Sequence, residues 1–134
     1  MQDMYRENIL DHGKNPRNRG VLEPSDIDVE MTNPLCGDRL RLTLKLDADR
    51  RIKQIGWDGE GCAISQAAAS MLGEEMLGKT IDEVAQFEKQ MVFDMIGIPL
   101  GINRVKCALL SLKVLKVGLF KLDGHTYFDE DEDD

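Results

Sequence analysis

Apolar and polar positions change period twice along the chain, and each change marks a change of element. Met4, Tyr5, Ile9 and Leu10 recur at helical offsets up to His12, and Gly13 with Pro16 closes the run, so a short amphipathic helix is predicted over Met4 to His12. After an irregular stretch, Asp28 to Thr32 precedes a clean alternation in which Leu40, Leu42, Leu44 and Leu46 interleave with Arg41, Thr43 and Lys45. That period of two predicts a half-buried strand. Asp47 to Arg51 supplies turn residues and Ile52 to Trp57 returns, which gives an antiparallel hairpin with at least one more strand before it. From Cys62 the period lengthens: Ile64, Ala68, Met71, Leu72 and Met76 line one side of a helix that stops near Gly78. Thr80 and Glu83 have capping-box spacing, and Ile81, Val84, Met91 and Met95 continue a helical stripe to Gly97 and Pro99. A last helix is capped by Asn103 and buries Val105, Leu109, Leu112, Leu115 and Leu119. Strands first and helices afterwards predict an α+β fold.

With 134 residues, 42% of them hydrophobic, the chain can bury one substantial core. One domain is expected over residues 1–124, followed by a disordered acidic tail over 125–134. Six of the formal charges in the net −8 lie in the run Asp129 to Asp134, which leaves about −2 for the rest. A weakly acidic body without a basic stripe excludes nucleic acid, whose phosphates require clustered Lys and Arg. No apolar run approaches the roughly 18 to 20 residues that span a bilayer, and the opening MQDMYRENIL has no basic segment ahead of an apolar one. A cytoplasmic protein with no membrane partner is expected. Three cysteines at wide spacings do not make a disulfide framework. Core packing, metal ligation and sulfur chemistry remain.

Each cysteine falls where the backbone is expected to change direction: Cys36 inside NPLCGD, Cys62 between GEG and AIS, and Cys107 in the first turns of the last helix. Helix N-termini favour the thiolate, the form that binds metal or attacks sulfur, and Lys106 adds a positive neighbour to Cys107. Gly37 and Gly61 can take positive φ and expose the adjacent cysteines. Asp38, two residues from Cys36, is the natural fourth member. Three thiolates and a carboxylate match tetrahedral Zn(II), and thiolates are also the ligands of Fe–S clusters. Taken singly, each cysteine is equally well read as an inert core residue.

The segments YRENILDHGKNPRNRG, NPLCGD, GEGCAIS and RVKCALL, in that order, resemble the U-type iron–sulfur cluster assembly proteins, the IscU, SufU and NifU N-terminal family, from about Tyr5 to Phe120. The resemblance implies a compact α+β fold, a small mainly antiparallel three-stranded sheet packed against several helices. It places the essential cysteines on Cys36, Cys62 and Cys107 and the site aspartate on Asp38, with Gly37, Gly61, Arg104 and Lys106 around them. IscU-like members have a histidine directly before the third cysteine and an LPPVK segment upstream; here Lys106 and IPLGINRV stand in those places. Arg104, Lys106 and Cys107 resemble SufU instead, but the interval from Cys62 to Cys107 is too short for the insertion that SufU-like members carry there.

Two functions follow from this resemblance, and a third, of a different class, stands beside them. The first is a non-enzymatic scaffold that holds a transient [2Fe–2S] cluster on the three cysteines and Asp38 and passes it to apo-proteins. The second is a Zn(II)-dependent acceptor of persulfide sulfur from a cysteine desulfurase, with Cys107 as the candidate acceptor. The third is a structural zinc module for protein contacts. The resemblance leaves a monomer or weak homo-oligomer, with a cysteine desulfurase and apo Fe–S recipients as partners. Among the other candidates, His12 is read as a solvated or partner-facing residue ahead of a metal ligand, and His125 is given no role. Lys14, Arg17 and Arg19 form a basic cluster whose default reading is solvated charge. Lys113, Lys116 and Lys121 are read as complementing the last helix's dipole. GWDGEG lacks the strand–GxGxxG–helix context of a nucleotide site, and no Ser–His–Asp or paired-carboxylate arrangement supports hydrolysis.

Overall fold

The computed structural model describes residues 2–33 and 37–122. In chain order the elements are α1 (Gln2–Lys14), β1 (Ile27–Asn33), β2 (Asp38–Leu46), β3 (Ile52–Glu60), α2 (Ala63–Met76), α3 (Ile81–Val84), α4 (Lys89–Ile96) and α5 (Ile102–Leu122). The strands form one antiparallel sheet in the order β1-β2-β3, with Val29 opposite Leu42 and Leu42 opposite Trp57. Register places Ile27, Val29, Leu40, Leu42, Leu44, Ile55 and Trp57 on one face, where α5 packs on β1 and β2 and α2 packs on β3. The alternation read from the sequence is therefore the alternation of the pleat. On the opposite face Arg41 makes a two-pronged bond to Asp28 at 2.9 and 2.7 Å, and Arg39 pairs with Glu30.

The far edge of β3 is occupied by the chain's own irregular segments. Trp57 donates its N–H to Asn18 O and accepts from Gly20 N–H, both at 2.8 Å. Further along the same edge, Ile52 donates to Lys79 O and accepts from Gly78 N–H.

Five expectations are corrected. The stripe from Ile81 to Met95 is two helices, because a helix continued past Val84 would turn Glu88 inward one turn later; Glu88 instead stays exposed as the N-cap of α4, and Val92 and Ile96 take the core positions. The break is held from outside by Lys116, whose Nζ donates to Ala85 O, so this lysine serves a backbone carbonyl rather than its own helix dipole; of the three lysines, Lys121 lies in the last turn of α5. The capping box of Thr80 and Glu83 forms as expected. In α1 the buried face runs through Ile9 and His12, while Met4 is 71% and Leu10 50% exposed; the side chain of Tyr5 lies outside the described residues. In α5 burial wraps most of the helix, taking in Cys107, Ala108, Leu110, Ser111, Leu112, Val114, Leu115 and Leu119 and leaving Val105 and Leu109 half-buried. Such a helix packs against the sheet, α2 and α4 at once. Its first residue is Ile102, which puts Asn103 inside the first turn rather than at the cap. The expected acidic tail and His125 lie outside the described residues, among which no helix is long and apolar enough to cross a membrane.

Candidate metal centre

The chain reaches β2 through Gly37, whose φ of +70° bends it out of the 34–36 segment while its N–H donates to Asn33 O at 2.8 Å. Asp38 is the first residue of β2 and is fully buried. Beside it, at the same open end of the hairpin, β3 runs out into Gly61, and Cys62 follows as the N-cap of α2 in extended conformation. Cys62 makes no side-chain cap bond, so its thiol is left to face inward. What caps the helix instead is Asp38: its Oδ1 accepts the Cys62 N–H at 2.8 Å, and its Oδ2 lies 3.9 Å from Cys62 Sγ. A carboxylate at a helix N-terminus is the favourable sign for the dipole there, and α2 has no acidic residue of its own in the first turn.

Gly61 is fixed by this contact. Its φ is +154°, and a Cβ built on it would fall 2.1 Å from Asp38 Oδ1, inside any allowed contact. The carboxylate occupies the place a side chain at residue 61 would take.

Cys107 completes the group from α5. It is 2% exposed and lies in the second turn, within the first turns of the helix as expected but past the reach of its N-terminus. A carboxylate oxygen of Asp38 and the Sγ atoms of Cys62 and Cys107 all lie within 4.8 Å of one another. A single tetrahedral zinc, with Zn–S of about 2.3 Å and Zn–O of about 2.0–2.2 Å, separates its ligand atoms by roughly 3.5–3.8 Å. The three groups thus fit one ion after an inward shift of about 1 Å. Cys36, the expected fourth ligand, lies outside the described residues. Arg104 is exposed one turn before Cys107, and Lys106 is half-buried beside it.

A second polar cluster is present that sequence reasoning missed. His12 is 5% exposed, which corrects its reading as a solvated surface residue. Its Nδ1 lies 2.7 Å from Ser70 Oγ and its Nε2 3.3 Å from Glu74 Oε1. Ser70 Oγ also accepts the Arg17 N–H at 2.8 Å. These partners assign the neutral tautomer: Arg17 N–H donates to Ser70, the Ser70 hydroxyl to Nδ1, and Nε2–H to the Glu74 carboxylate. Burial, the largest influence, pushes the imidazole below its usual 6.5; the Arg17 charge acts the same way, and Glu74 and Asp11 act against it. Arg17 and Arg19 bond at the surface, Arg17 to Asp11 and to Asn15 O, exposed Arg19 to Gln66 Oε1 and Gly59 O. The cluster of Lys14, Arg17 and Arg19 stays at the surface, in keeping with its reading as solvated charge. The signal that would have found the cluster is the four-residue spacing of Cys62, Gln66, Ser70 and Glu74, which lines polar groups along one side of α2.

A family model for the NifU-like N-terminal domain matches residues 4–128. The zinc-dependent sulfurtransferase SufU of Bacillus subtilis is 41% identical over 142 aligned positions that take in 92% of this chain and 95% of the relative. Since 92% of the chain is about 123 residues, about nineteen of the 142 aligned positions have no counterpart here. The iron–sulfur cluster assembly scaffold protein IscU 1 of Archaeoglobus fulgidus is 34% identical over 90% of this chain and 80% of its own length. Among solved structures, SufU of Fervidobacterium islandicum superposes with a TM-score of 0.75 at 29% identity, covering 84% of this chain and 94% of that one.

Proposed function

The chain belongs to the family of NifU-like N-terminal domains, and from that premise we propose that it is an iron–sulfur cluster assembly protein that holds one Zn(II) and accepts persulfide sulfur from a cysteine desulfurase. Asp38, Cys62 and Cys107 hold the ion with Cys36 as fourth ligand. The observation that carries this reading is the mutual closeness of the three ligand atoms, all within 4.8 Å. A two-iron cluster divides four ligands between two metals, so of any three at least one sits on the far iron; one ion gathers all three. The likeness to the B. subtilis zinc-dependent sulfurtransferase supports the same choice.

Zinc, when bound, keeps its thiol ligands deprotonated and in place. The chain's own residues decide access. Cys107, the acceptor expected from the sequence, is buried under core side chains, whereas Cys62 at the mouth of α2 is half-buried. Of these two, Cys62 is reached first by an incoming persulfide, and Asp38 Oδ2 stands beside its sulfur.

The test is metal content and visible spectrum after anaerobic purification, followed by persulfide mapping by mass after incubation with a cysteine desulfurase and cysteine. One colourless zinc per chain and a 32 Da gain on Cys62, lost in Cys62→Ala, are expected. A gain on Cys107 would return the acceptor role to that residue. Iron with charge-transfer bands in place of zinc would overturn the zinc reading in favour of the scaffold, the role named for the A. fulgidus relative.

A further inference from the structure

We propose that Cys62 and Cys107 form a sulfide-releasing pair: a persulfide carried by one is resolved by the other, which yields a Cys62–Cys107 disulfide and free hydrosulfide. The sulfur-acceptor reading supplies the physiological source of that persulfide, but the chemistry of the pair stands on its own geometry. The two Sγ atoms come from different elements, the start of α2 and the second turn of α5, and lie within 4.8 Å of each other with neither in a disulfide. Closing to the roughly 2.05 Å of an S–S bond requires an approach of under about 3 Å. Cys62 supplies the freedom for it, since it is an N-cap residue, half-buried, whose side chain is not spent on capping the helix.

The electrons balance within the pair. The thiolate of the second cysteine attacks the inner sulfur of the persulfide and its electron pair makes the new Sγ–Sγ bond. The bond from that inner sulfur to the outer one breaks, and the outer sulfur leaves with the bonding pair as HS⁻. The attacking thiol's proton passes to water. The transferred sulfur has gained two electrons and the two cysteine sulfurs have lost one each, so no outside oxidant or reductant enters. A dithiol reductant resets the disulfide by ordinary exchange. Both sulfurs must be unligated for this step, so it belongs to the metal-free chain. Two uses of the same atoms then exclude one another: storage of an ion, or delivery of sulfide.

The experiment uses the full chain, stripped of metal by a chelator and fully reduced, under anaerobic conditions. Inorganic polysulfide replaces the desulfurase as sulfur donor, and excess reagent is removed by desalting. About one sulfide released per chain, with a Cys62–Cys107 disulfide found by non-reducing peptide mapping, is expected. Cys62→Ser and Cys107→Ser should each retain persulfide and release at least tenfold less sulfide. A persulfide that persists on the wild-type chain, a disulfide that joins a different pair, or failure of either cysteine to take up sulfur would each overturn the proposal. Because the wild-type map alone decides this, a variant that fails to fold leaves the test intact. Release from polysulfide together with no transfer from a desulfurase would defeat the acceptor reading while leaving the pair's chemistry in place.

Discussion

Two polar clusters share the helix α2, and they are built on opposite rules. Along the helix, the Ser70 and Glu74 cluster matches every donor with an acceptor: Arg17 N–H to Ser70, Ser70 to His12, His12 to Glu74. At the helix start, Asp38, Cys62 and Cys107 gather three groups that carry the same sign of charge once ionised. The first arrangement is complete without a ligand and serves to fasten α1 and the following loop to α2. The second becomes favourable when a cation joins it, because burying like charges together is costly unless something of opposite sign offsets them. Burial and polarity alone therefore do not mark a functional site; the sign of what is gathered does.

The contrast breaks most decisively at the thiols. Cys62→Ala should lower zinc affinity by roughly a thousandfold or more, read by competition with a chromophoric chelator, and change the unfolding free energy of the metal-free chain, read by urea titration, by less than about 1 kcal/mol. Gly61→Ala acts one step removed. Its new methyl displaces the Asp38 carboxylate, and zinc affinity should fall about 10- to 100-fold, the usual cost of disturbing a group that orients a ligand. An alanine there that binds zinc as tightly as glycine would show that Asp38 is not held where described.

His12→Ala should reverse the pattern. It should cost about 2–3 kcal/mol of unfolding free energy, since Glu74 and Ser70 lose their shared partner, and change zinc affinity less than about twofold. The smallest effect is pH-dependent. With its pKa held below 6.5 by burial, folded His12 stays neutral where the unfolded residue has already bound a proton. Stability of the metal-free chain should then fall as pH drops from about 6.5 toward the folded pKa, by at most about 1.4 kcal/mol per pH unit, and level off below it. His12→Gln should remove that slope from the denaturation series.

The strands and α2 were legible because period and burial coincide: Leu40, Leu42 and Leu44 face the helices as their spacing demands. The grouping of Asp38, Cys62 and Cys107 was legible through motif context, and the structure gives Cys62 and Asp38 a joint geometry that no spacing announces, a carboxylate from one strand capping a helix twenty-four residues on. His12 was misread because a helix–loop segment rich in polar residues looks solvated until its partners, 58 residues away in sequence for Ser70, are brought against it. The break between α3 and α4 was hidden for a similar reason, since Ile81, Val84, Met91 and Met95 keep a plausible phase and what interrupts them is a carboxylate at Glu88 that must remain in water. Long-range pairing of polar groups is the information that periodicity lacks.

The occupied edge of β3 bears on how folded chains meet one another. With Asn18 to Gly20 and Gly78 to Lys79 already bonded along it, that edge offers little template for a strand from a second molecule. Strand-to-strand addition is left to β1, whose seven residues carry Asp28 and Glu30 in ion pairs with the neighbouring strand. A short, charged edge is a poor seed for cross-β growth, so the segments bonded along β3 act as a guard against edge-to-edge aggregation.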